Sequence, residues 1–432
     1  MENQTNSDHN TLEEMSQEQL DAMVRLHERY IDGRLGGRRA VLKNTNLSYL
    51  SLKGQNLRGS DFSGCLMSHM NLSGTDFSEA ALYACDLSDS NLHQANFVRA
   101  DMRGARIENA NLEGADLEKA DLREGGLSKG GEYQSARPVD FSGANLSGVK
   151  LSGSMASNAN FSDAIMVGVD FKKADLRGAE FSGADLSDAD IEGAQLNGAE
   201  FKSSILTGID SKNFEAAQID LQEAITDDNI GVSVSDLGSP LAKLIEIHRK
   251  WVETSGQGGD QLDLSGVNLR ILRSLKMEKL TAIKAIGAKF FGMNLYKLEL
   301  QSATLDGSDF RNCDMEEADL RGSSFKGCNF SHANLRGVNC ASLMFGGGKG
   351  TTRFHPCHFE NAKLAYATCT KAQMKGAIFH GADVSYVDFA GADLREANFS
   401  GAVITGAKFD DAQTDGAVFD KSETKVFRLK GD

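Results

Sequence analysis

The sequence predicts an all-β solenoid, because three regularities recur along most of its length. Large apolar residues stand at every fifth position for eighteen consecutive units between Leu42 and Leu127. A small residue, most often Ala, stands two positions before most of them, and Asn or Asp often stands directly before the large residue, as in Ala95, Asn96 and Phe97. A step of five matches neither the period of an α-helix, about 3.6, nor that of a strand, about 2. Such a step is typical of a repeat architecture.

Each five-residue unit is expected to repeat one backbone conformation and then turn a corner. The large and the small apolar residue of a unit face the interior, and the remaining residues face solvent. A single coil cannot bury its own core, so stability accumulates over stacked neighbours. Successive coils are expected to pair through their backbones at about 4.8 Å, as strands do in any sheet.

The stretch from 91 to 120 reads Ala-Asp/Asn-Leu-X-Gly repeatedly, and in this it resembles the pentapeptide repeat family. The resemblance covers roughly residues 40–225 and 262–420. It implies that four units form one square, right-handed coil, and that the coils stack as a quadrilateral parallel β-helix. The resemblance is specific for the fold and says little about function.

Interruptions of the five-residue step divide the chain into two modules. The step shifts after Leu127 and resumes at Phe141, and a second break contains a glycine-rich run. The predicted organisation is a disordered N-terminus at 1–11, a capping helix and turn at 12–39, a first β-helix at 40–230 with a loop at 125–138, a linker and second capping helix at 231–261, and a second β-helix at 262–432 with a loop at 346–356.

The two predicted helices are copies of one another. The segment from Met23 to Tyr30 matches the segment from Leu244 to Trp251, with a His three positions before the aromatic residue in each. The end of a coil stack is a sheet edge with unpaired backbone groups, and a helix can cover it. We therefore predict that the helices cover the coil ends. The expected contacts are the face with Leu26 or Ile247, and the residues His27, Tyr30, His248 and Trp251.

Charge is the feature that points most directly to function. The net charge is −15, and residues 151–230 alone hold 15 acidic and 5 basic residues. Many of these carboxylates precede a large apolar residue, and those twenty residues apart are expected to form columns. The candidate partner-binding acidic face consists of Asp170, Asp175, Glu180, Asp185, Asp190, Glu200 and Asp210.

Two interpretations of the acidic residues remain open. Asp and Asn belong to the repeat pattern itself, so the columns can be simple solvated faces. Alternatively, the resemblance implies a mimic of nucleic acid, since some members of the family resemble duplex DNA in width and charge, bind DNA gyrase and confer quinolone resistance. The second half of the chain is nearly neutral, and this departs from the pattern of the gyrase binders.

Motifs for catalysis and metal binding are weak. The run from Gly346 to Thr351 lacks the Ser or Thr that directly follows Lys in a phosphate-binding loop. His355, Cys357 and His358 are the densest candidate metal ligands, but Cys357 and the other six cysteines fall on inward positions of the repeat. The turn from Arg34 to Arg39 could bind an anion or neutralise the acidic helix beside it.

The sequence thus predicts a non-enzymatic interaction scaffold without a cofactor. Its partner is expected to be an unidentified protein, for which a basic surface would complement the acidic face, and direct nucleic acid binding is not expected. No apolar run approaches the length of a membrane span, and no signal peptide is visible, so the bacterial cytoplasm is the expected location. The alternative is a DNA mimic that binds gyrase or topoisomerase through its acidic face.

Overall fold

A computed structural model describes residues 12–125, 128–129, 132–133, 137–210, 212–221, 223–345 and 353–420. The predicted disordered N-terminus, the glycine-rich run 346–352 and the final segment 421–432 lie outside the described residues. The chain divides into two compact units, Met1–Asn229 and Ile230–Asp432, called here the first and second unit.

The first unit is a stack of four-sided coils. Parallel backbone bridges join residues twenty positions apart, as in Val41 to Asp61 and Asp61 to Ala81, and four such columns alternate at intervals of five residues. The large residue of each side is buried; Leu112 and Phe161, for example, have no exposed surface. The prediction of a repeat β-helix is therefore confirmed.

The residue before each large apolar residue shapes the corner of the coil. Its side-chain oxygen accepts a hydrogen bond from the backbone N–H two positions later, as between Asn71 and Ser73 at 3.3 Å or Asp116 and Glu118 at 3.0 Å. This local bond is an Asx-type turn. The corner also needs a left-handed residue, and Gly74 has a φ of 66° at that point. Asn, Asp and Gly recur because the corner selects them.

The second unit has the same construction with one irregular coil. Its first bridges join residues 21 positions apart, from Asp263 to Lys284, and the following coils return to a step of twenty. A short 3₁₀ helix, Arg270–Leu272, takes up the additional residue, and Arg273 after it has a left-handed φ of 58°.

Short strands and helices lie before, between and within the runs of coils. The strands are β1 Glu13–Glu14, β2 Thr45–Asn46, β3 Ser128–Lys129, β4 Glu132–Tyr133, β5 Val232–Ser233, β6 Val267–Asn268, β7 Leu343–Phe345 and β8 Arg353–His355. The α-helices are α1 Gln17–Ile31, α2 Lys212–Ala216 and α3 Leu241–Glu253, and a further 3₁₀ helix spans Val234–Asp236. β1 pairs in parallel with β2, and β5 pairs in parallel with β6.

Each break in the coil register is accompanied by an antiparallel pair of short strands. The bridges from Arg106 to Asp140 and from Ser324 to His358 each span 34 residues instead of twenty. The additional residues include β3 paired with β4 in the first unit and β7 paired with β8 in the second. The coil register continues on either side, so each insertion leaves the stack without disturbing it.

The last coil of the first stack contains a short helix. A bridge joins Ile205 to Ile225, and α2 interrupts the five-residue step between them. The sequence has Ser211 where the step would place the next large residue. Phe214 of α2 instead packs edge-on against Phe201, with ring centroids 5.2 Å apart.

Phenylalanine rings form a ladder inside the first unit. Phe141, Phe161, Phe181 and Phe201 occupy the same side of successive coils, with neighbouring ring centroids 5.0, 5.0 and 4.9 Å apart and nearly parallel planes. Offset stacking of this kind adds to the free energy gained by burying the rings. Phe161 and Phe181 are therefore each held by rings in the coils on both sides.

We predict that Phe161→Ala lowers the free energy of unfolding by about 3–5 kcal/mol, because it leaves a cavity between two rings. Urea unfolding followed by circular dichroism measures the change. The control Ser152→Ala, on an outward position, should change the free energy of unfolding by less than about 0.5 kcal/mol. Equal effects of the two substitutions would contradict the ladder's contribution.

We also predict slow labelling of all seven cysteines by thiol reagents in the folded protein. All seven are buried, and burial raises the pKa of the Cys65 thiol to about 11 and that of the Cys313 thiol further. The thiolate is the reactive form, so burial and a high pKa both slow the reaction. Fast, stoichiometric labelling of Cys313 or Cys328 without denaturant would show that the inward assignment is wrong.

Candidate functional site

The seven predicted acidic residues do not form one face. Asp170 and Asp190 share a column, and Glu180 and Glu200 share another. Asp175 and Asp185 stand in the two remaining columns, because each step of five residues moves the chain to the next side of the coil. Asp210 has no bridge to Asp190 among the described residues, since the chain leaves the stack at α2. The prediction of a single acidic face is therefore wrong, although two of its columns exist.

Two of these carboxylates are paired with cations. The guanidinium of Arg177 donates two hydrogen bonds to Asp175, at 2.8 and 2.7 Å. The ammonium of Lys172 lies 2.6 Å from a carboxylate oxygen of Asp190. These hydrogen bonds lower the pKa of both carboxyl groups. Pairing also reduces the charge that either residue presents to a partner.

Three more carboxylates make the local hydrogen bond of the corner. Asp170 accepts from the N–H of Lys172 at 2.9 Å, and Glu180 accepts from that of Ser182 at 2.9 Å. Asp185 is buried and accepts from both the N–H and the hydroxyl of Ser187. Asp185 is thus not a solvent-facing carboxylate as predicted.

The pairing of Asp175 with Arg177 is one case of a recurring motif. Asp and Arg on either side of an inward residue both point outward and form an ion pair of 2.5 to 2.7 Å. This Asp-X-Arg motif is visible in the sequence but was not used in the prediction. Its members are Asp101 with Arg103, Asp121 with Arg123, Asp175 with Arg177, Asp309 with Arg311, Asp319 with Arg321 and Asp393 with Arg395.

Acidic residues are concentrated where the first coil stack ends. Glu200 lines a cavity of about 240 Å³ together with Lys202, Asp220 and Glu223. A neighbouring cavity of about 340 Å³ is lined by Leu206, Ile209, Phe214, Leu221, Thr226, Asp227 and Asp228. The sequence prediction missed Asp220, Glu223, Asp227 and Asp228 because they do not follow the repeat pattern. A charge count over 210–228 would have found them.

Helix α1 lies against the first coil through only part of the predicted face, since Met23 packs partly buried against the core. Its buried residues are Leu20, Val24 and His27, whereas Leu26 and Tyr30 are exposed. The residues at 20, 24 and 27 follow the spacing of one helix face, so α1 has two apolar stripes side by side. Only the stripe with His27 meets the coil.

The buried histidines make the same contact in both units. The Nδ1 atom of His27 accepts a hydrogen bond from the N–H of Ala40 at 3.0 Å, and Nδ1 of His248 accepts from Leu262 at 3.1 Å. Nε2 of His248 bonds to the carbonyl of Thr281 at 2.9 Å. Each imidazole ring thus accepts a hydrogen bond from a backbone N–H group at the start of a coil.

The two aromatic residues at the ends of the helices stack on the histidines. Tyr30 stacks on His27 with ring centroids 5.9 Å apart, and half of its surface is exposed. Trp251, which is half-buried, stacks on His248 at 5.7 Å. The aromatic rings cover the histidines from the solvent side.

The candidate metal ligands do not converge. The thiol of Cys357 donates to the carbonyl of Leu320 at 2.8 Å, and Nδ1 of His358 lies 2.9 Å from Glu360. Within the described ranges, no group of three His, Cys, Asp or Glu residues could hold a metal ion. The glycine-rich run at 346–352 lies outside those ranges. No helix in the described part of the chain is long and apolar enough to cross a bilayer.

Comparison with family models agrees with this architecture. The model for pentapeptide repeats (8 copies) matches residues 38–74, 56–94, 85–123, 139–172, 170–208 and 303–339, and that for the pentapeptide repeat region matches 352–429. The chain belongs to the pentapeptide repeat family. No curated protein matches it.

Solved pentapeptide repeat structures are among its structural matches. QnrB1, a plasmid-mediated fluoroquinolone resistance protein, is 24% identical over 44% of this chain and 90% of its own, with a TM-score of 0.27. HetL of Nostoc sp. strain PCC 7120, involved in regulation of heterocyst differentiation, is 18% identical over 91% of this chain and 94% of its own, with a TM-score of 0.15. A pentapeptide repeat protein of the Arabidopsis thaliana thylakoid lumen is 38% identical over 28% of this chain and 71% of its own, with a TM-score of 0.18.

We predict that acidification destabilises the protein through His27 and His248. Burial lowers the pKa of both imidazoles below the usual value of 6.5. For His27, the charge of Arg39 lowers the pKa further, whereas the backbone of Arg58 and the charge of Glu28 partly oppose the shift. The unfolded chain therefore binds protons first, and stability is lost as pH falls below about 6.5 toward the lower folded pKa.

The double variant His27→Asn, His248→Asn should show a flatter dependence of melting temperature on pH in this window, because the amide oxygen can accept the same backbone hydrogen bond without titrating. The exposed His93→Asn serves as the control and should keep the slope of the wild type. An unchanged slope in the double variant would contradict the assignment.

Proposed function

We propose that this protein is a non-enzymatic scaffold that presents rigid β-helix faces to a protein partner. The observation that supports this most is the regular bridge register of the described coils, which holds outward side chains in fixed columns. Neighbouring members of a column are about 4.8 Å apart, so a partner meets a prearranged surface and little entropy is lost on binding. The proposal includes no catalytic step and no cofactor, and it places the protein in the cytoplasm.

We further propose that each unit is one module, a helix followed by a β-helix whose open edge the helix covers. In the first unit, Gln17 of α1 exchanges two hydrogen bonds of 2.8 Å with the backbone of Ser51. His27 and His248 satisfy equivalent backbone donors in the two units. Covering an edge in this way protects unpaired backbone groups from pairing with another chain.

The partner surface that we favour is the acidic end of the first coil stack. Glu200, Asp210 and Glu223 are exposed there, within a segment rich in carboxylates. Glu223 lies 3.4 Å from the ammonium of Lys202 in an exposed ion pair, so Glu200 and Asp210 contribute most. Asp175 and Asp190 are ion-paired and Asp185 is buried, so these contribute less. A cluster of negative charge accelerates the encounter with a basic surface, and added salt weakens this effect.

The alternative is a DNA mimic that binds gyrase or topoisomerase. The observation in its favour is the pair of columns in which Glu180 meets Glu200 and Asp170 meets Asp190 on successive coils. Duplex DNA carries one charge per about 1.7 Å of its axis, so these columns are sparser than the molecule they would imitate. Ion pairing of Asp190 reduces their charge further.

We predict that the intact protein retains a partner in a cross-linking and affinity experiment, and that the triple variant Glu200→Gln, Asp210→Asn, Glu223→Gln retains at least about tenfold less, since each rim charge contributes to association. The Asn at position 210 keeps the acceptor for the Lys212 N–H. The control Asp410→Asn, Asp411→Asn, Asp415→Asn removes three charges from the second unit and should bind normally. Equal retention by the triple variant would reject this surface.

A supercoiling assay separates the two functions. We expect no inhibition of DNA gyrase by the purified protein. Dose-dependent inhibition that is lost in the variant Asp170→Asn, Asp190→Asn would establish the mimic and reject the general scaffold.

A further inference from the structure

The turn after α1 exposes a leucine between arginines. Leu35 has 94% of its surface exposed, more than any other large apolar residue in the described part of the chain. Arg34 and Arg38 beside it are also exposed. The second apolar stripe of α1 adjoins this turn, where Tyr30 is 50% and Leu26 38% exposed. A solvent-facing apolar surface of this kind usually marks an interaction site.

The second unit makes the corresponding connection without these side chains and with one more residue, since 13 positions separate His27 from Ala40 and 14 separate His248 from Leu262. Counting from Ala40 and Leu262, the equivalents of Arg34, Leu35 and Arg38 are Gly256, Gln257 and Asp260.

The contacts that shape the turn are shared by the two units. Gly37 packs against the backbone of α1 at Tyr30, and Gly259 packs against that of α3 at Trp251. Arg39 donates to the carbonyl of Gly59, and Gln261 donates equivalently to that of Ala282. Arg34, Leu35 and Arg38 contribute backbone hydrogen bonds to the turn, but their side chains take no part in the contacts shared by the two units.

The surroundings of the turn are positive in an otherwise acidic protein. Residues 25–58 contain eight basic residues and two acidic ones, Glu28 and Asp32. Asp32 pairs with Arg34 at 2.9 Å, whereas Arg38 forms no ion pair with any described residue. Two of the eight basic residues are paired with carboxylates of the next coil, Lys43 with Asp61 and Arg58 with Glu79, each at 3.0 Å. The excess of positive charge therefore lies mainly in the turn itself, at Arg34, Arg38 and Arg39.

We propose that this turn docks on the surface of an anionic lipid bilayer. Leu35 would enter the boundary between headgroups and acyl chains, and Arg34 and Arg38 would bind lipid phosphates. The combination of one fully exposed aliphatic side chain, a neighbouring tyrosine and flanking arginines suits a deformable anionic interface. A protein partner would need a matching pocket for Leu35, and a symmetric dimer would bring two positive turns together.

The test is cosedimentation of the full chain with vesicles. Vesicles of phosphatidylcholine alone are compared with vesicles of equal parts phosphatidylcholine and phosphatidylserine. Binding is expected only to the anionic vesicles, and added salt should weaken it. The turn-exchange variant Arg34→Gly, Leu35→Gln, Arg38→Asp carries the residues of the second unit and should bind at least about tenfold more weakly. Its melting temperature should match that of the wild type, because the side chains of Arg34, Leu35 and Arg38 are exposed and their removal leaves no cavity.

A control with the same change in net charge separates local from overall effects. Lys276→Asp, Lys371→Gln alters the second unit and should bind like the wild type. Absence of binding to anionic vesicles, or equal binding by the turn-exchange variant, overturns the proposal. Self-association that the turn exchange abolishes, without vesicle binding, overturns it in favour of a second copy of the chain as the occupant. None of these outcomes depends on the partner surface proposed at the acidic end.

Discussion

The backbone ladder between coils is the interaction on which the rest of this structure depends. Each coil pairs with the next at a step of twenty residues, so an inward residue always stacks on the inward residue of its neighbour. Rings such as Phe141 and Phe161 meet face to face because of this register. An insertion cannot enter the ladder without shifting every later side chain, and both insertions therefore leave it as hairpins. The narrow interior selects one large and one small residue per side.

The same geometry explains much of the acidity. A corner needs an acceptor for the backbone N–H two positions on, and Asn and Asp both supply it, as Asn160 and Asp170 do. Selection for the corner thus raises the number of carboxylates without any binding partner. A charged residue is informative about function only where the corner of the coil does not require it. The acidic residues around α2, among them Glu223, and the arginines around Leu35 are the two places where this holds.

Duplication within the chain separates what the fold requires from what it tolerates. His27 and His248 recur with the same backbone contact, which identifies a requirement of the helix–coil junction. Arg39 is replaced by Gln261 with its hydrogen bond retained, so the contact matters more than the charge. Leu35 has no apolar counterpart in the second unit. That residue is therefore more informative about function than any member of the repeat.

The sequence by itself determined the coil architecture, the inward position of all seven cysteines and the existence of the two helices, because a five-residue period is strictly local and repeats many times. Tertiary structure alone decided which stripe of α1 is buried, since Leu20 and Leu26 belong to adjacent apolar stripes of similar strength. It also decided that Asp185 is buried and that Asp175 and Asp190 are ion-paired. These outcomes depend on side-chain neighbours in space, and a one-dimensional pattern does not contain them.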